Sequence, residues 1–486
     1  MSLRSQVLAG LKWTVLGRIS SQLVAWAITI YVIRLLSPED YGLMALAAIF
    51  SALFTLIAEI GLGATLVQTK DLPPQRLQQI FGLILLSNGA ACLVMAVLVA
   101  PLVAMFFGDI RLELVIRVIA LQFLPAAFAV VPAALLERDM KFRGRALTDL
   151  VSTIGGALVT LILAYQGYGV FALAWGSVSQ ATIRSIGLNI AGQYPGMPIF
   201  QFAGCGTMFR FGRNVAASQL VWFSYSQADV FIVGKLLGKY DLGIYSVSMD
   251  LASLPASRFS AILNQIVYPT LSKVKREGGS VGPYLIKGMR SVSLLSFPVM
   301  WGMSCIAPEL VQVLLGEKWT EAALPLALLC LIMPLRVLAP LLHAGLHAVG
   351  RADVSFRITW ITAVLMCSTF IVGAQFGLIG LSLAWVVGYP VALLFNLLRS
   401  CKHMDLHARE VATTLSRPAL SCGLMYASVA LTRQILPWPI GLSNLVVLIA
   451  VGAITCVVFS FAFNRPGIDE VRNLLMRKKT EMVNMN

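Results

Sequence analysis

The chain has 486 residues, of which 58% are hydrophobic and only 12% charged, with a mean hydropathy of +0.82. A soluble domain carries roughly 25% charged residues, so this composition excludes a single water-soluble core and requires lipid as part of the solvent. The net charge of +15 would suit nucleic acid as a basic face on a folded domain, but the basic residues occupy short segments between apolar runs, which excludes that partner and reads as membrane topology.

A membrane span needs about 20 mostly apolar residues. In chain order the sequence predicts spans near 13–34, 41–62, 79–104, 114–136, 147–165, 169–190 and 214–234, then 242–268, 290–313, 322–345, 358–376, 378–398, 413–432 and 440–462. The fold class expected is an all-α polytopic membrane protein of about fourteen transmembrane helices. Arg4 and Lys12 precede the first apolar run with no small-residue cleavage site after it, so that run reads as an uncleaved span. With the N-terminus cytoplasmic, most of the 37 lysines and arginines fall in alternate loops on the same side, and the C-terminus joins them there. The opposite side receives Arg34, Arg111, Lys235, Lys239, Lys318 and Arg433, while Arg18, Arg117, Arg258 and Arg336 fall inside spans. The expected location is therefore the bacterial inner membrane, with both termini cytoplasmic. The outer loops are short; Gln166-Gly167-Tyr168 and Gln375-Phe376-Gly377 are mere turns. That argues against a membrane-embedded transferase or polymerase, which needs an extramembrane loop to build an active site.

The second and eighth spans echo one another. Arg34-Leu35-Leu36-Ser37-Pro38-Glu39-Asp40-Tyr41-Gly42 matches Lys235-Leu236-Leu237-Gly238-Lys239-Tyr240-Asp241-Leu242-Gly243 at a constant offset of 201 residues. Gly167 and Leu173-Ala174-Trp175 are echoed by Gly377 and Leu383-Ala384-Trp385. These echoes predict two six-helix lobes in the same orientation, a parallel repeat of the kind that rocks about a central cavity. The expected domains are an N-lobe over 1–200, a C-lobe over 205–398, and two further spans with a basic tail over 399–486.

Polar side chains inside spans mark a pathway by default, because each charge costs about 2.5–3.5 kcal/mol to insert. On the eighth span Ser246, Asp250, Ser253, Ser257, Ser260 and Asn264 share one helical face, with Arg258 beside it. The seventh span offers Asn214, Ser218, Trp222, Tyr225 and Asp229; the first offers Thr14, Arg18 and Gln22; the second places Glu59 at the repeat position of Ser260. Arg117 and Arg336 add positive charge to the fourth and tenth spans. The competing reading is of structural pairs between helices, Arg18 with Glu59 for instance, or of end residues such as Arg117 and Asp229 reaching the headgroups. His343/His347 and His403/His407 have the spacing of metal ligands but lack a third ligand. The eight cysteines form no CxxC pair and read as small packing residues. No Walker A sequence or nucleophile motif is present, so no cofactor is expected.

The opening Met1-Ser2-Leu3-Arg4 with Gly10-Leu11-Lys12-Trp13, Leu136-Glu137-Arg138-Asp139-Met140-Lys141-Phe142, Phe209-Arg210-Phe211-Gly212 and Leu315-Gly316-Glu317-Lys318-Trp319 occur in family order along the chain. In these segments the sequence resembles the polysaccharide transporter family, within the superfamily of multidrug, oligosaccharidyl-lipid and polysaccharide exporters, and colanic-acid-type exporters in particular. The resemblance implies two lobes arranged as a V that opens alternately. It also implies a flippase for undecaprenyl-diphosphate-linked oligosaccharide, working between cytoplasmic glycosyltransferases and a periplasmic polymerase and export machinery. It supplies no ligand residues. On the stripe argument alone, Arg18, Arg117, Arg258 and Arg336 are candidates for the diphosphate, and Gln22, Asn214, Tyr225 and Asn264 for the rest of the cavity. Glu59, Asp229 and Asp250 are candidates for coupling to protons or sodium. Membrane potential is an alternative drive, since two negative charges leaving a negative interior gain roughly 5 kcal/mol per 100 mV. A peptidoglycan-precursor flippase, a drug/cation antiporter and a non-transporting scaffold stay open as alternatives.

Overall fold

The computed structural model describes residues 24–59, 73–139, 142–192, 196–201, 223, 226–435, 438–465, 467 and 469. All regular structure among them is helical. In chain order the helices are α1 (Val24–Leu35), α2 (Pro38–Glu59), α3 (Pro74–Phe107), α4 (Ile110–Arg138), α5 (Phe142–Tyr165), α6 (Val170–Ala191) and α7 (Ala228–Leu236). There follow α8 (Lys239–Arg276), α9 (Gly282–Cys305), α10 (Ala307–Leu314), α11 (Ala323–Ala348), α12 (Ala352–Ala374), α13 (Gly377–Cys401), α14 (Ala408–Ile435) and α15 (Leu442–Phe463).

Among the described residues, eight helices are long and apolar enough to cross a bilayer, or nine if α9 and α10, bent by 72°, make one span. The chain is thus a multi-pass membrane protein. Helices lie on the remaining expected spans too: α6, α8 and α14 replace apolar residues with polar ones, and the expected spans that include α1 and α7 run beyond the described residues. The count by length and apolarity is lower than the fourteen expected for that reason. By backbone contacts the chain divides into two compact units, residues 1–243 and 244–486.

In the first unit, α2 begins with a reciprocal cap. The Ser37 N–H and hydroxyl both donate to Asp40 Oδ2, at 3.0 and 2.7 Å, and the Asp40 N–H donates to Ser37 Oγ. Proline at the first helical position costs nothing there, because its missing N–H would have been unpaired. The other oxygen of Asp40 accepts the Val170 N–H at 3.0 Å, tying the start of α2 to the start of α6. Core packing between α3 and α4 uses Ile80, Phe81 and Ile84 against Ala127, Val131, Ala134 and Leu135. A π turn at Met95–Val99 interrupts α3.

The two echoed turns have real structural counterparts. A Cβ on Gly42 would overlap the carbonyl oxygen of Lys239, and a Cβ on Gly243 would overlap the carbonyl oxygen of Pro38. Each glycine therefore touches the residue that precedes the other by four, which is the reciprocity of a two-fold contact. Gly167 and Gly377, the second echoed pair, both adopt left-handed φ, +85° and +72°. Their turns share the backbone conformation that glycine alone adopts cheaply.

The segments expected on one face of the membrane converge. Arg111 pairs with Glu39 at 3.2 Å and Asp109 at 3.1 Å, and Lys239 pairs with Asp109 at 2.8 Å and Glu39 at 3.4 Å. Burial pushes the Asp109 carboxyl up, but hydrogen bonds from Arg111 and Lys239 outweigh it and hold the group at about 2. Because the folded value is depressed, the stability it contributes is complete above the ordinary carboxylate range. It is lost only as pH falls through about 2. Lys239→Ala should therefore lower stability by about 1 kcal/mol or less, equally at pH 5 and pH 8 and less in high salt. Thermal melts in detergent at the two pH values check this.

Within the second unit, α11 is the most deeply buried of the eight long apolar helices. It packs against α9 and α13, and α14 packs against α9 and α15. Ser248 of α8 donates to the Ala322 carbonyl at 3.2 Å, just before α11 begins. The bend between α9 and α10 is held from α14: Arg433 forms a two-pronged pair with Glu309, at 2.9 and 2.7 Å, and donates to the Cys305 carbonyl at 2.8 Å.

Candidate functional site

The polar stripe read on α8 is a face that the second unit leaves open. Tyr245, Ser248, Ala252 and Ala256 are buried, whereas Asp250, Ser257 and Arg258 are exposed and Ser253 is half-buried. The Ser253 and Ser257 hydroxyls donate to carbonyls of their own helix, at 2.9 Å each, so their oxygens can still accept. Ser246 Oγ is buried with no hydrogen-bond partner among the described residues. Asp250 forms no ion pair with a described cation.

Helix α11 presents a matching face. Leu338, Leu341, Leu342 and Leu346 are buried, but Arg336 and His343 are half-buried and Pro340 and His347 exposed. These four positions are separated by four, three and four residues, one stripe of a helix. The two faces meet at Arg336. One of its terminal nitrogens lies 3.3 Å from Met249 Sδ and 3.8 Å from Met333 Sδ. The guanidinium stacks 4.3 Å above the Trp385 ring of α13, a cation–π contact. Trp385 is fixed in turn: its Nε1–H donates to Tyr245 Oη at 2.7 Å, and Phe370 and Tyr389 pack against its ring at 4.9 and 6.0 Å. Among the described residues no carboxylate pairs with Arg336. A guanidinium held by sulfur and an aromatic face keeps its N–H donors for an anion.

The other predicted residues fall elsewhere. Arg117 pairs with Glu113, one turn back on α4, at 2.6 Å, and donates to the Ala96 carbonyl in the π turn of α3 at 3.3 Å. This is the structural pairing that competes with a ligand role. Asp229 is buried in the first turn of α7, where Val230 N–H donates to it at 2.9 Å and the helix dipole favours an acid. Glu59 ends α2 and Asn264 lies on α8, but their side chains, and all of Arg18, Gln22, Asn214 and Tyr225, lie outside the described residues. Tyr245, Met249, Trp385 and Tyr389, which build the floor under Arg336, are absent from the sequence-derived candidates. Each is apolar or aromatic within an apolar run; only Trp385 stands out along the chain, as part of the echo with Trp175, and that echo says nothing of Arg336.

A family profile described as polysaccharide biosynthesis protein matches residues 31–324. The lipopolysaccharide biosynthesis protein WzxC of Escherichia coli K12 is 21% identical over 391 residues, 80% of this chain and 79% of that protein. The succinoglycan biosynthesis transport protein ExoT of Rhizobium meliloti 1021 is 25% identical over 378 residues, 77% of this chain and 76% of that protein. In fold, the structure titled lipid II flippase MurJ, inward closed conformation, superposes with a TM-score of 0.73 at 15% identity, covering 93% of this chain and 100% of that one.

Proposed function

The chain belongs to the polysaccharide biosynthesis protein family, and from that premise we propose that it is a flippase for a lipid-linked oligosaccharide rather than an enzyme. The substrate is an undecaprenyl diphosphate bearing a glycan repeat, moved from the cytoplasmic to the periplasmic leaflet of the inner membrane by alternating access. Both termini are cytoplasmic, and a polymerase and export machinery act on the product. Spans over 399–486 stand outside the duplicated lobes.

The observation that carries this reading is Arg336. A cation within a span is expensive, and here no described carboxylate neutralises it. Its surroundings are soft and aromatic, and the open polar faces of α8 and α11 meet beside it. A diphosphate supplies the missing charge and accepts the guanidinium fork in the geometry that arginine, and not lysine, provides. The serines of α8 suit sugar hydroxyls, and the polyprenyl tail stays in lipid.

The test is reconstitution into liposomes with a fluorescent undecaprenyl-diphosphate oligosaccharide, scoring leaflet exposure with a membrane-impermeant glycosidase. Losing charge-assisted hydrogen bonds worth about 1.5–3 kcal/mol should slow transfer by Arg336→Ala roughly 10- to 100-fold, with Arg336→Lys recovering only part. Full transfer by a folded Arg336→Ala protein would remove the diphosphate assignment. No transfer by the wild-type protein would remove the flippase reading. Competition by an unlabelled peptidoglycan precursor, which shares the lipid diphosphate, separates the two flippase substrates.

A further inference from the structure

One turn and more beyond Arg336, the open face of α11 carries two histidines that the substrate reading does not use. His343 Nδ1 lies 2.8 Å from Ser355 Oγ of α12. Ser355 Oγ lies 3.5 Å from His347 Nε2, at the long end of a hydrogen bond. On its other side His343 Nε2 faces Asn396 Nδ2 of α13 at 3.4 Å, and the Ser400 hydroxyl donates to Asn396 Oδ1 at 2.9 Å. Ser355, Asn396 and Ser400 are buried.

With Asn396 Oδ1 accepting from Ser400, one set of donor directions runs through the whole chain. Ser400 donates to Asn396 Oδ1, which fixes the amide so that its NH2 points at His343 Nε2. That nitrogen must then accept, so the proton of the neutral ring is on Nδ1 and donates to Ser355 Oγ. The serine hydroxyl proton is left to donate to His347 Nε2. Five groups on three helices therefore point one way, from α13 through His343 to His347. His347 lies next to the end of α11, close to the loop that carries Arg351.

We propose that this chain is a proton relay in which His343 takes up a proton on Nε2 and passes one on to His347, toward the face that carries the basic loops. The step balances without another reactant. A proton binds the lone pair of His343 Nε2; the Nδ1 proton moves to Ser355 Oγ; the serine proton moves to His347 Nε2, which becomes cationic and releases a proton to solvent. His343 is left neutral with its proton on Nε2. That N–H now opposes the Asn396 NH2, so the link between α11 and α13 breaks until the ring resets its tautomer. Proton transfer and helix contact are thereby the same event. The charged and titratable groups near this depth belong to other pairings: Asp353 of α12 to Arg351 and Arg357, His403 to Arg351 at 3.2 Å, and Arg399 of α13 to the Phe395 ring. On α11 itself the neighbours are Arg336 and His347.

The work the proton does rests on the flippase reading; the relay does not. Two measurements keep them apart. In the liposome assay, an imposed proton gradient should speed wild-type transfer about tenfold per pH unit on one limb of its profile. His343→Asn should stay within about twofold across the range, and Ser355→Ala, which leaves both rings in place, should lose most of the gradient response. Independently, 15N spectra of the four histidines, assigned with His343→Asn, should show a neutral His343 protonated on Nδ1, with an Nδ1 resonance that moves when Ser355 is replaced. Wild-type transfer with an unchanged pH profile in His343→Asn overturns the relay and leaves the flippase. Absence of any wild-type transfer overturns the flippase, and the spectra then decide the relay. A neutral His343 protonated on Nε2 overturns it.

Discussion

Arg433→Ala is expected to destabilise the protein by about 3 kcal/mol, because it strands a buried acid. The Glu309 side chain is only 3% exposed and receives two hydrogen bonds from the one guanidinium. Its helix, α10, starts where the chain turns by 72° from α9, and the third arginine bond satisfies the Cys305 carbonyl at the end of α9, a group that a helix terminus leaves unpaired. Removing one partner of a buried pair costs more than the pair itself is worth, since the remaining charge has neither water nor a counter-ion. Glu309→Gln removes the charge but keeps an acceptor, and should cost about 1 kcal/mol. The double variant should then be nearer the Glu309→Gln value than the sum of the two. A double-mutant cycle on thermal or denaturant unfolding reads this coupling; additive losses would mean that the pair is not the unit holding the bend.

An even larger loss is expected from one methyl group at Gly42 or Gly243. A side chain in a tight core forces neighbours to move at a cost of about 1–3 kcal/mol, but here the neighbour is backbone. The obstacle is the Lys239 carbonyl for Gly42 and the Pro38 carbonyl for Gly243. Pro38 is fixed by the Ser37–Asp40 cap, and the Lys239 side chain by Asp109. Neither turn can recede without breaking those contacts, so Gly42→Ala and Gly243→Ala should each cost more than about 4 kcal/mol. Gly423→Ala, in the middle of α14 with open space around its Cβ position, should be neutral or stabilising by up to about 1 kcal/mol. The yield of monodisperse protein after detergent extraction compares the three. Normal yield from Gly243→Ala would show that the two turns do not approach as closely as described.

The helical architecture was legible because apolar runs long enough to span lipid are rare by chance, and because the basic residues gather in every other loop between those runs. The echo at Gly42 and Gly243 was legible as a pattern, but its meaning is a contact between segments far apart in the chain. Arg117 illustrates the opposite failure. Glu113 lies four residues before it and was available as a partner, yet only the π turn at Met95–Val99, which offers the Ala96 carbonyl, completes its structural role. Arg336 was legible as an intramembrane charge, whereas the sulfur and tryptophan around it come from α8 and α13. The histidines of α11 were weighed only as metal ligands, since i, i+4 spacing says nothing of Ser355 and Asn396 on other helices. For Arg433 the sequence supplied a side of the membrane but not Glu309.

The reciprocal turn at Gly42 and Gly243 carries a statement about ancestry. A contact in which each residue meets its partner's counterpart is what a half-length protein makes when it binds its own copy. On this view we propose that the chain descends from a symmetric homodimer, with the contact at Gly42 and Gly243 kept from it. On the same proposal, fusion would then release the copies from identity. Counting back from Arg336 by 201 residues, the offset of the first echo, or by 210, that of Gly167 and Gly377, reaches Leu135 or Ala126, in a stretch with no charge, and counting back from His343 reaches no histidine. A symmetric ancestor would have carried two such centres or none; among the described residues of the present chain there is one, so the proposed site lies where the two halves differ.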